Sequence, residues 1–155
     1  MAEIEKSIDI NLPVSTVYDQ WTQFEDFPKF MEGVKQVHQL DEKTLSWRAD
    51  IGGKEEQWTA EIEEQEPDTR IKWRSTTGAR NDGLVTFDKT ANNQTRVSLT
   101  LYYDPEGPIE NTGKALGIVS RRVEGDLKRF KKFVEEHQVE TGAWRGEIHH
   151  GQVEE

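Results

Sequence analysis

Residues 3–10 alternate, with Ile4, Ile8 and Ile10 on one parity and Glu3, Glu5 and Asp9 on the other, the period-two pattern of a half-buried strand. Pro13 follows where a first helical turn tolerates it, and Val14, Val17, Tyr18 and Trp21 recur at helical spacing. A second short helix is expected from Phe24 to Phe30, limited by Pro28. From Gly33 the pattern becomes a meander. Strand-like runs cover about 33–40, 43–51, 54–65, 69–77, 81–89 and 94–104, separated by the turn formers Asp41-Glu42, Gly52-Gly53, Pro67-Asp68, Gly78 to Arg80 and Asn92-Asn93. Pro105 to Pro108 stop the last strand. Beyond them Leu116, Val119, Val123, Leu127, Phe130 and Val134 form one apolar stripe, with Arg121, Glu124, Lys128, Lys131 and Glu135 opposite. A helix over 108–138 would measure about 46 Å at 1.5 Å per residue, against about 30 Å for a nine-residue strand. It must cross the sheet diagonally or overhang it.

Cross-strand arithmetic tests the hairpins. A two-residue turn at Gly52-Gly53 sets Trp47 opposite Trp58 and Leu45 opposite Ala60. One at Pro67-Asp68 sets Ile62 opposite Trp73, Glu63 opposite Lys72 and Glu61 opposite Arg74. Apolar pairs then share one face and opposite charges the other. A two-residue turn at Asp41-Glu42 turns His38 inward beside Leu45, whereas a one-residue slip substitutes Val37. Phe87 and Val85 face inward opposite Leu99 and Leu101 only with an odd loop length around Asn92 to Gln94.

The order strand, two short helices, six strands, long helix predicts an α+β fold. Its seven-stranded antiparallel sheet curls around the long helix, and a gap between them is a natural ligand cavity. Residues 1–140 form the expected domain and 141–155 a polar tail carrying Trp144.

Composition narrows the function. With 155 residues and a net charge of −10, the chain lacks the basic surface that nucleic-acid or anionic-membrane binding requires. Zero cysteines exclude disulfides, a thiol nucleophile and Cys-based metal sites. No apolar run approaches a membrane span, and the charged start is unlike a secretory signal, so a cytoplasmic location is expected. Only 33% of residues are apolar, but five Trp and six Phe offset this through their large buried areas.

Three segments carry a resemblance: Val17-Tyr18-Asp19-Gln20-Trp21 through Phe24 to Met31; Trp73 to Asn81 with Gly83 and Phe87; and Arg121 to Phe130. Over about residues 3–138 the chain resembles the helix-grip superfamily of START-related and birch-pollen-allergen-like proteins. More closely it resembles the bacterial polyketide cyclase/dehydrase and lipid-transport family, which includes coenzyme Q-binding START proteins. The resemblance implies a cavity for a hydrophobic ligand, without choosing between carriers and enzymes.

The candidate ligand-binding residues are Trp47, Trp58 and Trp73 on the inward face, with Ser75, Phe87, Tyr103, Val119 and Val123. The three indoles either stack on a flat ligand or fill the core. Tyr103 could offer its hydroxyl to a ligand or to backbone. The candidate proton-transfer groups are His38, Glu56 and Tyr103. A cyclase must remove a proton alpha to a carbonyl, which a histidine titrating near neutrality suits. Ser75 lacks a partnered His and Asp at recognisable spacing. Glu147, His149 and His150 have poor chelating geometry on a tail, so no metal and no cofactor is expected. Arg121-Arg122 pair with surface acids or meet an anionic head group.

The leading reading is a binding or carrier protein for a small hydrophobic ligand: a lipid, a quinone or a polyketide-like molecule. The alternative is a polyketide cyclase or dehydrase. A third is a protein-interaction module with Trp144 as an exposed anchor. A monomer or weak homodimer is expected.

Overall fold

A computed structural model describes residues 2–51, 54–78, 81–103 and 112–154. Strand β1 (Ala2–Ile10) leads into α1 (Val14–Trp21) and a 3₁₀ helix (Phe24–Lys29). Six strands follow: β2 (Val34–Gln39), β3 (Thr44–Ile51), β4 (Lys54–Glu66), β5 (Arg70–Gly78), β6 (Asn81–Ala91) and β7 (Gln94–Tyr103). Then come helix α2 (Thr112–His137) and a short hairpin, β8 (Glu147–His149) and β9 (Gln152–Glu154). The main sheet is antiparallel in the order β1-β7-β6-β5-β4-β3-β2. This is the expected α+β helix-grip architecture, with two strands more than the seven expected. The Gly52-Gly53 turn, residues 79–80 and the Pro105 to Pro108 segment lie outside the described residues.

The sheet's inner face and α2 share one core. Val123, Leu127, Phe130 and Val134 of the stripe are buried, whereas the side chain of Leu116 lies outside the described residues. On the far face Arg121, Glu124 and Lys128 are exposed. Lys131 and Glu135 are half-buried because they reach back to β1 and the residue after it. Lys131 Nζ donates to the Asp9 carbonyl, and the Asn11 N–H donates to Glu135 at 2.9 Å.

The β3–β4 register is the expected one, Trp47 opposite Trp58 and Leu45 opposite Ala60. Three other registers depart from expectation for local reasons. The β2–β3 turn takes three residues, because Asp41 Oδ1 accepts the N–H groups of both Lys43 and Thr44 at 2.9 and 2.8 Å. Val37 therefore faces Trp47 in the core, and His38 points outward with its side chain 61% exposed. Between β4 and β5, Asp68 adopts φ 61° and Glu66 pairs with Arg70. A bulge at Glu63 then restores Ile62 opposite Trp73 and Glu61 opposite Arg74. Lys72 consequently meets Glu64 rather than Glu63. Between β6 and β7 a tight turn with Asn93 at φ 59° and a shift near Thr90 put Val85 opposite Leu99 and Phe87 opposite Val97. Both β6 residues are buried, but two positions from the expected partners.

Residues 141–154, expected as a polar tail, pack against the body. The Thr141 N–H donates to Gln20 Oε1 at 2.9 Å, and the Trp144 N–H to Thr22 Oγ1 at 3.1 Å. Arg145 bridges Asp19 and Asp68. The Trp144 ring is half-buried against the core, so it is not a free anchor. Strand β4 runs past the end of β3, and β8 covers the overhang by pairing Ile148 with Gln65. That removes an open sheet edge and buries Ile148 completely.

Replacing Ile148 by Ala should cost about 2–5 kcal/mol by cavity formation, readable as a lowered urea midpoint. A loss below about 0.5 kcal/mol would mean that the hairpin is not docked in solution.

Candidate functional site

The site follows from cross-strand placement. Trp47 on β3 and Trp58 on β4 stack nearly parallel, with centroids 5.6 Å apart and planes 8° from each other. Phe27 of the 3₁₀ helix leans on Trp47 at 5.6 Å. On β5, Trp73 lies across β6 at Gly83, where an added Cβ would fall 2.3 Å from the indole Cζ2. Glycine at 83 is what lets this ring lie flat on the sheet. Val119, Val123 and Leu127 of α2 form the roof, while Trp21 and Phe24 close one side. These surfaces enclose a cavity of about 160 Å³.

The polar part of its lining is Glu32, Tyr102, Arg122 and Asp126, and three of these belong to a clasp holding α2 to the sheet. Arg129 Nε donates to the Phe30 carbonyl at 2.8 Å, and its Nη2 to Asp126 Oδ1. The Glu32 N–H donates to the same Asp126 oxygen at 3.0 Å. Arg122 Nη1 donates to the Asp50 carbonyl at 2.7 Å. Gly33, at φ 83°, makes room for this contact, since an added Cβ would meet the Asp50 oxygen at 2.6 Å and Arg122 Nη1 at 2.9 Å. Burial pushes the Asp126 carboxyl up to about 6, against the lowering effect of Arg129, the Glu32 N–H and Arg122.

Of the residues singled out from sequence, Trp47, Trp58, Trp73, Val119 and Val123 line the cavity. Phe87 instead packs edge-on against Tyr18 and Trp21 at 5.2 and 6.2 Å, outside the lining. The Ser75 N–H and hydroxyl both donate to Asp82 at 2.9 and 3.4 Å, tying β5 to β6 away from the cavity. His38 pairs with Glu25 at 3.2 Å on the outer surface, so it is no base for a cavity ligand. Glu56 lies opposite Ala49, half-buried and outside the lining. Tyr103 ends β7, and its side chain lies outside the described residues. At the C-terminus, Glu64 and Glu66 gather with His149, their ligand atoms within 4.8 Å of one another. Arg70 also reaches both glutamates, and the group fastens the terminal hairpin to β4.

Sequence reasoning missed Glu32, Tyr102 and Asp126, and left Arg122 undecided. Helical spacing carried a signal: 122 and 126 lie three residues beyond 119 and 123, on the flank of the apolar stripe. Nothing comparable marked Glu32, which reaches the cavity only through the loop after the 3₁₀ helix.

Residues 10–145 match the profile of a family described as polyketide cyclase/dehydrase and lipid transport. An uncharacterized 17.2 kDa protein of Streptomyces lincolnensis, from the melC2–rnhH intergenic region, is 43% identical over 149 residues, 96% of this chain and 99% of that protein. Among solved structures, the Zhui aromatase/cyclase from Streptomyces sp. superposes with a TM-score of 0.75 at 14% identity, covering 92% of this chain and 99% of that one. A START superfamily protein from Mycobacterium smegmatis gives 0.73 at 14% identity, covering 87% and 98%.

Because the folded-state pKa of Asp126 is raised, its protonated form contributes stability that is fully present below about 3.8 and is lost as pH rises through about 6. Asp126→Asn keeps an oxygen for Arg129 and the Glu32 N–H but carries no charge. Urea midpoints should show the variant gaining on the wild type between pH 4.5 and 7.5, by roughly 2 kcal/mol. A constant difference across that range would refute the shift.

Proposed function

We propose that this chain, which belongs to the polyketide cyclase/dehydrase and lipid-transport family, is a cytoplasmic binding or carrier protein for a small hydrophobic molecule. The cavity between sheet and α2 carries this reading. Its lining is apolar apart from Glu32, Tyr102, Arg122 and Asp126. Three indoles offer it flat faces suited to a ring, such as that of a quinone or a polyketide-like compound. At about 160 Å³ it compares with the roughly 150 Å³ apolar cavity known to take benzene, so one ring fits with the walls as they stand. Longer ligands require α2 or the loop after the 3₁₀ helix to give way. Among the described residues no helix is long and apolar enough to cross a membrane.

One observation favours a second reading, a cyclase or dehydrase-type enzyme. Asp126 lines the cavity, its Oδ2 has no partner among the described residues, and its carboxyl titrates at about 6. Such a group could exchange a proton with a bound ketone near neutral pH. The other carboxyl of the lining, Glu32, turns mostly to solvent with its side chain 70% exposed, which gives this reading less support than the carrier.

Titrating delipidated protein with alkylbenzenes and short-chain 1,4-benzoquinones should give saturable tryptophan quenching for the single-ring members. Val123→Trp, which fills the roof, and Gly83→Val, which drives Trp73 off the sheet, should each weaken binding at least tenfold while far-UV circular dichroism is unchanged. No saturable quenching by any compound would sink the carrier reading. Retained binding in both variants would place the ligand elsewhere.

A further inference from the structure

Arg122 differs from the other arginines that line or brace this fold. Arg48, Arg70, Arg74, Arg96, Arg129 and Arg145 each have a carboxylate within 4.0 Å, and Arg121 is exposed to water. Arg122 is half-buried, lines the cavity, and forms no ion pair among the described residues. Its one hydrogen bond there runs from Nη1 to the Asp50 carbonyl. Nε and Nη2 find no acceptor among the described residues.

A guanidinium stays charged at any physiological pH, and partial burial without a counter-charge is costly. The chain holds 30 Asp and Glu, so shortage of acids does not explain the missing partner. Position does: the charge stands with Glu32, Tyr102 and Asp126 at the polar end of a lining that is apolar elsewhere, where a ligand with an apolar body and an anionic end satisfies both surroundings at once.

We propose that Arg122 is the head-group receptor of the cavity, and that the ligand class is an amphiphilic carboxylate whose ring or short chain lies against the tryptophans. This deepens the carrier reading and rests on it. The planar fork of Arg122 matches a carboxylate, and charge-assisted hydrogen bonds of this kind are the strong ones. The other charged groups of the clasp leave room for the anion. Asp126 is already bonded to Arg129 and the Glu32 N–H, Glu32 turns mostly to solvent with its side chain 70% exposed, and Asp50 presents its carbonyl. Asp126 can also take up a proton in mildly acidic solution, which removes the nearest competing negative charge on α2.

The test compares phenylacetate with 2-phenylethanol, ligands of similar size that differ in charge, by calorimetry or tryptophan quenching at pH 7. The wild type should bind the acid about tenfold more tightly, and 0.5 M NaCl should narrow that margin. Arg122→Gln should bring the two within about twofold of each other, chiefly by weakening the acid, and Arg122→Lys should keep part of the preference. Should Arg122→Gln fail to fold for want of its Asp50 contact, the wild-type preference, its salt dependence and Arg122→Lys decide the matter. Equal affinities in the wild type, or a preference that survives Arg122→Gln, overturn the assignment and leave the carrier reading standing. If neither compound binds the wild type, the assignment falls, and the carrier reading is decided by the alkylbenzenes and benzoquinones.

Discussion

Arg129 donates to the Phe30 carbonyl and to Asp126, Asp126 accepts the Glu32 N–H, and Arg122 donates to the Asp50 carbonyl. Through these bonds one stretch of α2, residues 122 to 129, holds both the loop after the 3₁₀ helix and the end of β3. The contacts fix the height of the helix above the sheet at that end. Farther along, Phe130 meets Trp21 and Phe30 at 5.0 and 5.1 Å and the core is filled. The space that the tryptophans line lies against residues 119 to 127 of the same helix. The cavity thus results from a helix fastened by polar groups at one place and by aromatic packing at another.

That arrangement also explains the division of labour among the aromatics. Tyr18, Trp21, Phe87 and Phe130 interlock edge-to-face and make a solid core beneath α1. Trp47 and Trp58 stack on one another instead and present faces to the cavity. Core and cavity are the same layer, differing in whether α2 descends far enough to close it. The terminal hairpin contributes from outside. By covering the overhang of β4 and tying Arg145 to Asp19 and Asp68, it braces the α1 end of the sheet without approaching the cavity.

Electrostatics follow the same geography. The surface of this strongly acidic chain is laced with ion pairs between exposed groups, each worth little. Asp126 and Arg122 sit where water gives way to the apolar lining. One is a carboxyl that burial makes reluctant to ionise, the other a guanidinium that forms no ion pair among the described residues. Both lie on the flank of the stripe, one turn apart, and both are consequences of where α2 is fastened.

The sequence by itself determined the element order through α2, the strand limits there to within a few residues, the apolar stripe of α2 and the pairing of Trp47 with Trp58. These depend on short-range periodicity and on which residues a turn requires. It also brought three tryptophans to one face, since a period of two leaves no other choice once the hairpin closes. Tertiary structure decided what depended on a single residue of register or on distant segments meeting. One hydrogen-bonded aspartate, Asp41, lengthened a turn and sent His38 outward in favour of Val37. A bulge at Glu63 changed which glutamate faces Lys72. The polar end of the cavity unites Glu32 from a loop with Arg122 and Asp126 from a helix some ninety residues later, and Ile148 found its burial against a strand more than eighty residues earlier. Local pattern carries no record of such meetings, because the free energy that selects them comes from the packed whole.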